Sequence, residues 1–132
     1  MSGKPFLVPM CRILIWFYEQ DIMSYNKEQA VGDVSDNILP ILMQLYNLDI
    51  EGAMRYACGY HYELQARFIA LSGDLPKFGL EVDRQLEEYV TNLGQFVSGC
   101  VGWGFDCKRY FGDLAAEVKR TRLVPLLPPK VT

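Results

Sequence analysis

A chain of 132 residues, half of them apolar and 22% charged, has the size and composition of one globular domain around one core rather than of a disordered or fibrous chain. Sixteen acids against 13 bases, a net charge of −3 with no stripe of Lys and Arg, leave out the electrostatic footprint of nucleic-acid binding. The longest uninterrupted apolar stretch, Ile13 to Tyr18, falls far short of the ~20 residues of a membrane-crossing helix, and no small-x-small cleavage site follows it, so the expectation is a cytoplasmic chain without a transmembrane segment.

Pro5 and Pro9 predict an irregular arm over residues 1–10, before a helix that starts near Met10 or Cys11 and runs to about Val31, where Gly32–Asp33 ends it. Ser35 or Asp36 can cap a second helix to Tyr46, with Pro40 near its first turn and Asn47 closing it. A third helix fits from Asp49, as N-cap, through Ala53, Ala57, His61, Leu64 and Phe68 to a stop at Ser72–Gly73–Asp74. After Pro76 a fourth carries Leu86, Val90, Leu93, Val97 and Val101 at helical spacing, and Gly102 and Gly104 are expected to loosen the chain around Trp103. One short helical turn near Leu114–Lys119 precedes an irregular tail over residues 121–132.

No alternating segment of useful length and no internal repeat occurs, which predicts an all-α helical bundle in a single domain over residues 1–132, with strand content near zero. Cys11, Cys58, Cys100 and Cys107 form no C-x-x-C pair, and His61, the one histidine, lies near only Cys58 in sequence. Reduced, buried thiols are expected rather than a zinc site. His61 reads as a buried or interfacial histidine rather than a general base.

Within the first helix Gln20, Ser24 and Glu28 are spaced i, i+4, i+8, so at ~100° per residue they drift by only ~40° per step and line one stripe. An amide, a hydroxyl and a carboxylate are hard oxygen donors suited to Mg²⁺ or Mn²⁺ and unsuited to zinc or copper. Lys27, seven residues after Gln20, returns to nearly the same face and can neutralise a phosphate held by such an ion. Spacing alone is also what the solvated face of an amphipathic helix looks like.

Consecutive residues add a resemblance. The stretch from Gln20 to Gln29, with Ser24, Lys27 and Glu28 in register, resembles the second metal-binding motif of microbial class I terpene synthases, in its fungal sesquiterpene branch above all. Downstream, Trp103 to Gly112 resembles the segment in which that family carries an Arg-Tyr pair that closes over the substrate diphosphate, here Arg109–Tyr110. Gly32–Asp33 with Asn37, and the run Tyr60 to Leu64, also read like the family, and the similarity covers about residues 11 to 124. The resemblance implies the C-terminal part of the class I terpene synthase fold. It further implies an isoprenoid diphosphate, farnesyl diphosphate on branch resemblance, as substrate, and a Mg²⁺-dependent ionisation and cyclisation to a sesquiterpene. On that transfer Gln20, Ser24 and Glu28 are metal ligands, and Lys27, Arg109 and Tyr110 hold diphosphate oxygens.

The sequence departs from the pattern in two ways. Gln20 stands where the family normally has Asn, and Cys100, Gly104 and Cys107 stand where it often has Asn and Ser. The family's aspartate-rich motif, which lies upstream and binds the other Mg²⁺ ions, has no counterpart, since Asp33 and Asp36 follow the metal helix and read as turn and cap residues. A half-site of this kind binds at most one of the usual ions. It also leaves aromatic surface around Trp16, Phe17 and Tyr18 partly exposed, which predicts self-association or a complementing chain. Two alternatives stand beside the synthase reading: a non-catalytic remnant or partner subunit, and a metal-independent protein that modifies an already cyclised terpenoid.

Overall fold

The computed structural model describes the backbone of residues 4–130 and the side chains of residues 8–130. Its first element, α1, spans Lys4–Val31 and so takes in most of the expected arm. Pro5 falls in the first turn, where no N–H has an intrahelical partner, and Pro9 removes one bond from the second turn. Against that loss, Val8, Cys11 and Ile15 are all buried along one stripe, and burial of such a face stabilises a helix more than propensity does. Residues 1–3 of the expected arm and 131–132 of the expected tail lie outside the described residues.

α1 ends at Gly32, whose φ of 76° lies in the left-handed region that glycine enters without steric cost. Gly32 N–H donates to the carbonyl of Gln29 at 3.3 Å and Asp33 N–H to that of Glu28 at 3.0 Å, the paired bonds of a Schellman stop. α2 spans Ile38–Tyr46, and its N-cap is Asn37 rather than Ser35 or Asp36, because only Asn37 turns its side-chain oxygen onto the N–H of Leu39. Asn47, at φ 51°, closes it. α3 spans Ile50–Gly73 with Asp49 as N-cap, accepting from Gly52 N–H at 2.7 Å.

α4 runs without interruption over Leu80–Asp106, including the Gly102–Trp103–Gly104 stretch where loosening was expected. The physical reason for Gly104 is packing: a Cβ there would collide with the sulfur of Met23 on α1. Two short helices follow, α5 over Lys108–Phe111 and α6 over Ala115–Thr121, joined by a 3₁₀ turn at Gly112–Leu114. No strand occurs among the described residues. None of the described helices is long and apolar enough to cross a membrane.

α1 packs against α2, α3, α4 and α5, so it is the helix that these four share. One core cluster joins Val8, Cys11 and Ile15 of α1 to Leu64 and Phe68 of α3 and Val90 and Val97 of α4. A second joins Leu39 and Leu42 of α2 to Ala53 and Ala57 of α3, with Tyr18, Ile22 and Tyr25 of α1 laid over it. Polar ties lock the same helices. The buried Arg12 guanidinium donates to the carbonyls of Leu93 and Gly94 and lies 4.5 Å over the Phe68 ring. Burial lowers its pKa, and the charge of Glu19 opposes that shift. His61 sits half-buried with Nε2 2.8 Å from Glu19 Oε1, an interfacial pairing of α3 with α1.

Candidate functional site

The structure divides the stripe expected on α1 between two neighbouring faces. Gln20 and Lys27, seven residues apart, face α5, whereas Asp21 and Glu28, also seven apart, face the start of α2. Ser24 lies between the two pairs, its Oγ 3.5 Å from the carbonyl of Asp21. The accumulated drift of ~80° from Gln20 to Glu28 is what sends the two ends of the stripe to different neighbours.

On the α2 side, the chain reverses after the Schellman stop and brings the N-terminus of α2 onto the last turns of α1. Asn37 Nδ2 donates to Glu28 Oε2 at 2.9 Å and to the carbonyl of Asp21 at 2.8 Å, while the N–H of Ile38 donates to Asp21 Oδ2 at 2.8 Å. Two carboxylates of α1 are therefore met by the positive end of α2. Burial pushes the Asp21 carboxyl above its ordinary value, the Ile38 N–H pulls it back, and the neighbouring charge of Glu28 adds to the rise.

On the α5 side lies a groove of about 390 Å³. Lys27 of α1, with Lys108, Arg109 and Tyr110 of α5, lines one part of it, and Val124, Pro125 and Leu127 of the tail line another. Lys108 is paired with Asp113 at 2.6 Å, but neither Lys27 nor Arg109 forms an ion pair among the described residues. Two exposed cations facing one groove attract an anion of matching size. Tyr110 is buried, donates its hydroxyl hydrogen to Gln20 Oε1 and stands edge-on to Trp103 with ring centroids 6.1 Å apart.

Gln20, Ser24 and Glu28 offer only neutral or anionic oxygens, the donor set that Mg²⁺ and Mn²⁺ prefer. Asn37 engages one of the two Glu28 carboxylate oxygens. Among the described residues no three His, Cys, Asp or Glu side chains cluster as a metal site. The oxygen set fits a hard divalent ion with a low count of protein ligands and the remainder from water or a ligand phosphate. The four cysteines are free.

For three groups of residues the structure adds roles that spacing alone does not indicate. Lys108 joins the groove. Asn37 and Asp21 form the α1–α2 junction. Asn26 and Gln29 hold the tail, for Asn26 donates to the carbonyl of Pro125 at 2.9 Å and accepts from Leu127 N–H at 2.8 Å, and Gln29 Nε2 donates to the carbonyl of Leu127 at 2.8 Å. Lys130 N–H adds a bond to the carbonyl of Ala30 at 2.7 Å. Asn26 and Gln29 stand inside the motif at i, i+3, a spacing that signals a shared contact without saying to what.

Residues 8–67 match the family model described as terpene synthase family 2, C-terminal metal binding. Over 112 residues the chain is 45% identical to delta(6)-protoilludene synthase 8 of Postia placenta, a match covering 85% of this chain and 32% of that protein. The chain belongs to the terpene synthases. It is 44% identical to sesquiterpene synthase 14 of Postia placenta over 83% of its length, and 41% identical to a delta(6)-protoilludene synthase of Stereum hirsutum over 82%. It spans about a third of the length of these relatives. An all-α bundle agrees with a terpene synthase C-terminal region, and the matched residues 8–67 span most of α1, all of α2 and most of α3.

Proposed function

We propose that this chain serves the Mg²⁺-dependent ionisation of an isoprenoid diphosphate, farnesyl diphosphate, and the cyclisation of the resulting cation to a sesquiterpene. The observation that carries the reading is the groove lined by both Lys27 of α1 and Arg109 of α5, neither of which has an acidic partner among the described residues. Gln20, Ser24 and Glu28 would hold Mg²⁺, or Mn²⁺ in its place, and the chemistry that cation supplies when bound is neutralisation of the charge developing on the leaving diphosphate. Lys27 and Arg109 bind diphosphate oxygens, and Tyr110 takes part through its hydroxyl while anchoring α5 to α1.

A second copy or a complementing chain is part of the proposal, and the cytoplasm is its compartment. Val82, Tyr89, Phe96 and Trp103 repeat every seven residues along α4 and are each about half exposed, as are Met10, Ile13 and Phe17 on α1. Apolar rows of this extent favour association, which sedimentation of the chain across a concentration series measures.

The test is incubation with farnesyl diphosphate, with and without Mg²⁺, following released diphosphate and volatile hydrocarbons together. The expected result is Mg²⁺-dependent release that Glu28→Gln abolishes with helicity intact. Absence of release from folded chain would replace this reading by a second one, a non-catalytic remnant or partner subunit. That second reading is favoured by the Gln20 amide oxygen being already engaged by Tyr110.

A further inference from the structure

We infer that Asn37 is a positioning residue that presents the Glu28 carboxylate to the divalent cation, an inference that rests on Glu28 being a metal ligand. Asn37 is almost wholly buried, 2% exposed, at the point where α2 meets α1. Every polar atom of its side chain is used. Its oxygen accepts from Leu39 N–H at 2.9 Å, and its nitrogen donates to Glu28 Oε2 at 2.9 Å and to the carbonyl of Asp21 at 2.8 Å.

The arrangement needs both halves of an amide. An N-cap requires only an acceptor, which Ser or Asp supplies equally well, but neither Ser nor ionised Asp carries the two donated hydrogens that reach Glu28 and Asp21. A glutamate side chain has three rotatable bonds, and one directional bond to a buried partner removes most of that freedom before any ion arrives. Because Asn37 Nδ2 is itself tied to the backbone of α1, the carboxylate is referenced to its own helix. Outer partners that orient a ligand in this way commonly change metal affinity by about 10- to 100-fold when lost.

The test uses the whole chain and Mn²⁺ alone, with binding read by the paramagnetic signal of the free ion and folding by circular dichroism. Asn37→Ser keeps an N-cap oxygen and withdraws the donor from Glu28. The expected result is unchanged helicity with affinity weakened about tenfold, and no further weakening when Asn37→Ser is added to Glu28→Gln. Affinity equal to that of the unaltered chain would overturn the positioning role and leave the metal reading standing. Absence of Mn²⁺ binding by the unaltered chain would overturn both. Should Asn37→Ser fail to fold, the side-chain amide resonances of Asn37 in the unaltered chain decide instead. They are expected to shift with Mg²⁺ at the midpoint of binding, and resonances that stay fixed through saturation would overturn the inference.

Discussion

The hydroxyl of Tyr110 on α5 donates to the side-chain amide oxygen of Gln20 on α1, joining residues ninety positions apart in sequence and fixing the short α5 helix against the central one. Arg109, the neighbour of Tyr110, is thereby held at the groove with its guanidinium 5.8 Å from the Tyr110 ring. The side chain at position 20 is one methylene longer than the asparagine the family resemblance would place there, and its amide oxygen is the atom that meets α5.

Tyr110→Phe removes this bond while keeping the buried ring. The expected cost is about 1 kcal/mol, the usual net value of a partly buried hydrogen bond, read from urea denaturation. In a double-mutant cycle with Gln20→Ala the two changes should be non-additive, and strict additivity would mean that the bond contributes nothing to holding α5.

Gly102 and Gly104 lie two residues apart in α4 and should respond oppositely to alanine. Nothing stands within 4 Å of a Cβ at Gly102, so Gly102→Ala gains helix propensity of about 0.5–1 kcal/mol. At Gly104 the new methyl meets the Met23 sulfur, and because Met side chains yield readily the penalty sits near the lower end of the ~1–3 kcal/mol range for overpacking. Gly104→Ala is therefore expected to be less stable than Gly102→Ala by about 1–2 kcal/mol, and Met23→Ala should narrow the gap. Equal thermal midpoints of the two single variants would refute the close approach of α4 to α1.

Helices and their stops were legible because local chemistry writes them. Gly32 at the end of α1 and the Asp49 cap of α3 depend on neighbours within five residues. The helical start at Lys4 was hidden because two prolines argue locally against it, and only the burial of Val8 and Cys11 against α3 and α4 overrides them. Gly104 looked like slack because its reason, Met23, is on another helix. The same limit explains Asn37 and Asn26: each makes bonds whose partners are set by the reversal after α1 or by the returning tail, so local spacing does not name those partners.

Cys58 provides a pH-dependent readout of the α3 environment. Burial pushes its thiol above the ordinary value, since the thiolate is the form that desolvation penalises. The folded state thus favours the neutral thiol. The associated stability is fully present below the ordinary thiol pKa and is lost as pH climbs through the raised value. Alkylation of Cys58 by iodoacetamide should be slower in the folded chain than in urea, with its half-maximal rate displaced to higher pH. Superimposable pH profiles in the two states would show that Cys58 is solvated.

Lys27 and Arg109 come from helices distant in sequence and converge only if α5 docks as described. Lys27→Ala and Arg109→Ala should each weaken binding of inorganic diphosphate about five- to tenfold in calorimetric titration, and the loss should shrink at high salt because both side chains are exposed. Asp113→Ala, which frees Lys108 from its pairing, should strengthen binding instead. Titrations unchanged across all three variants would remove the groove from diphosphate recognition.

The tail offers a separate test of how the groove is walled. Asn26 is buried, and its amide bridges Pro125 and Leu127, so Asn26→Ala deletes both of its bonds to the tail at once and should cost about 1–2 kcal/mol. The Leu127 and Lys130 amides, protected now by Asn26 and by the Ala30 carbonyl, should exchange faster with solvent in this variant, while amides in the middle of α3 keep their rates. Since Val124, Pro125 and Leu127 line the groove with Lys27 and Arg109, release of the tail should also weaken diphosphate binding, though no cation has been removed. If the Leu127 and Lys130 amides exchange at unaltered rates, the strap is held by contacts other than Asn26, and a deletion of residues 123–132 would then be needed to open the wall.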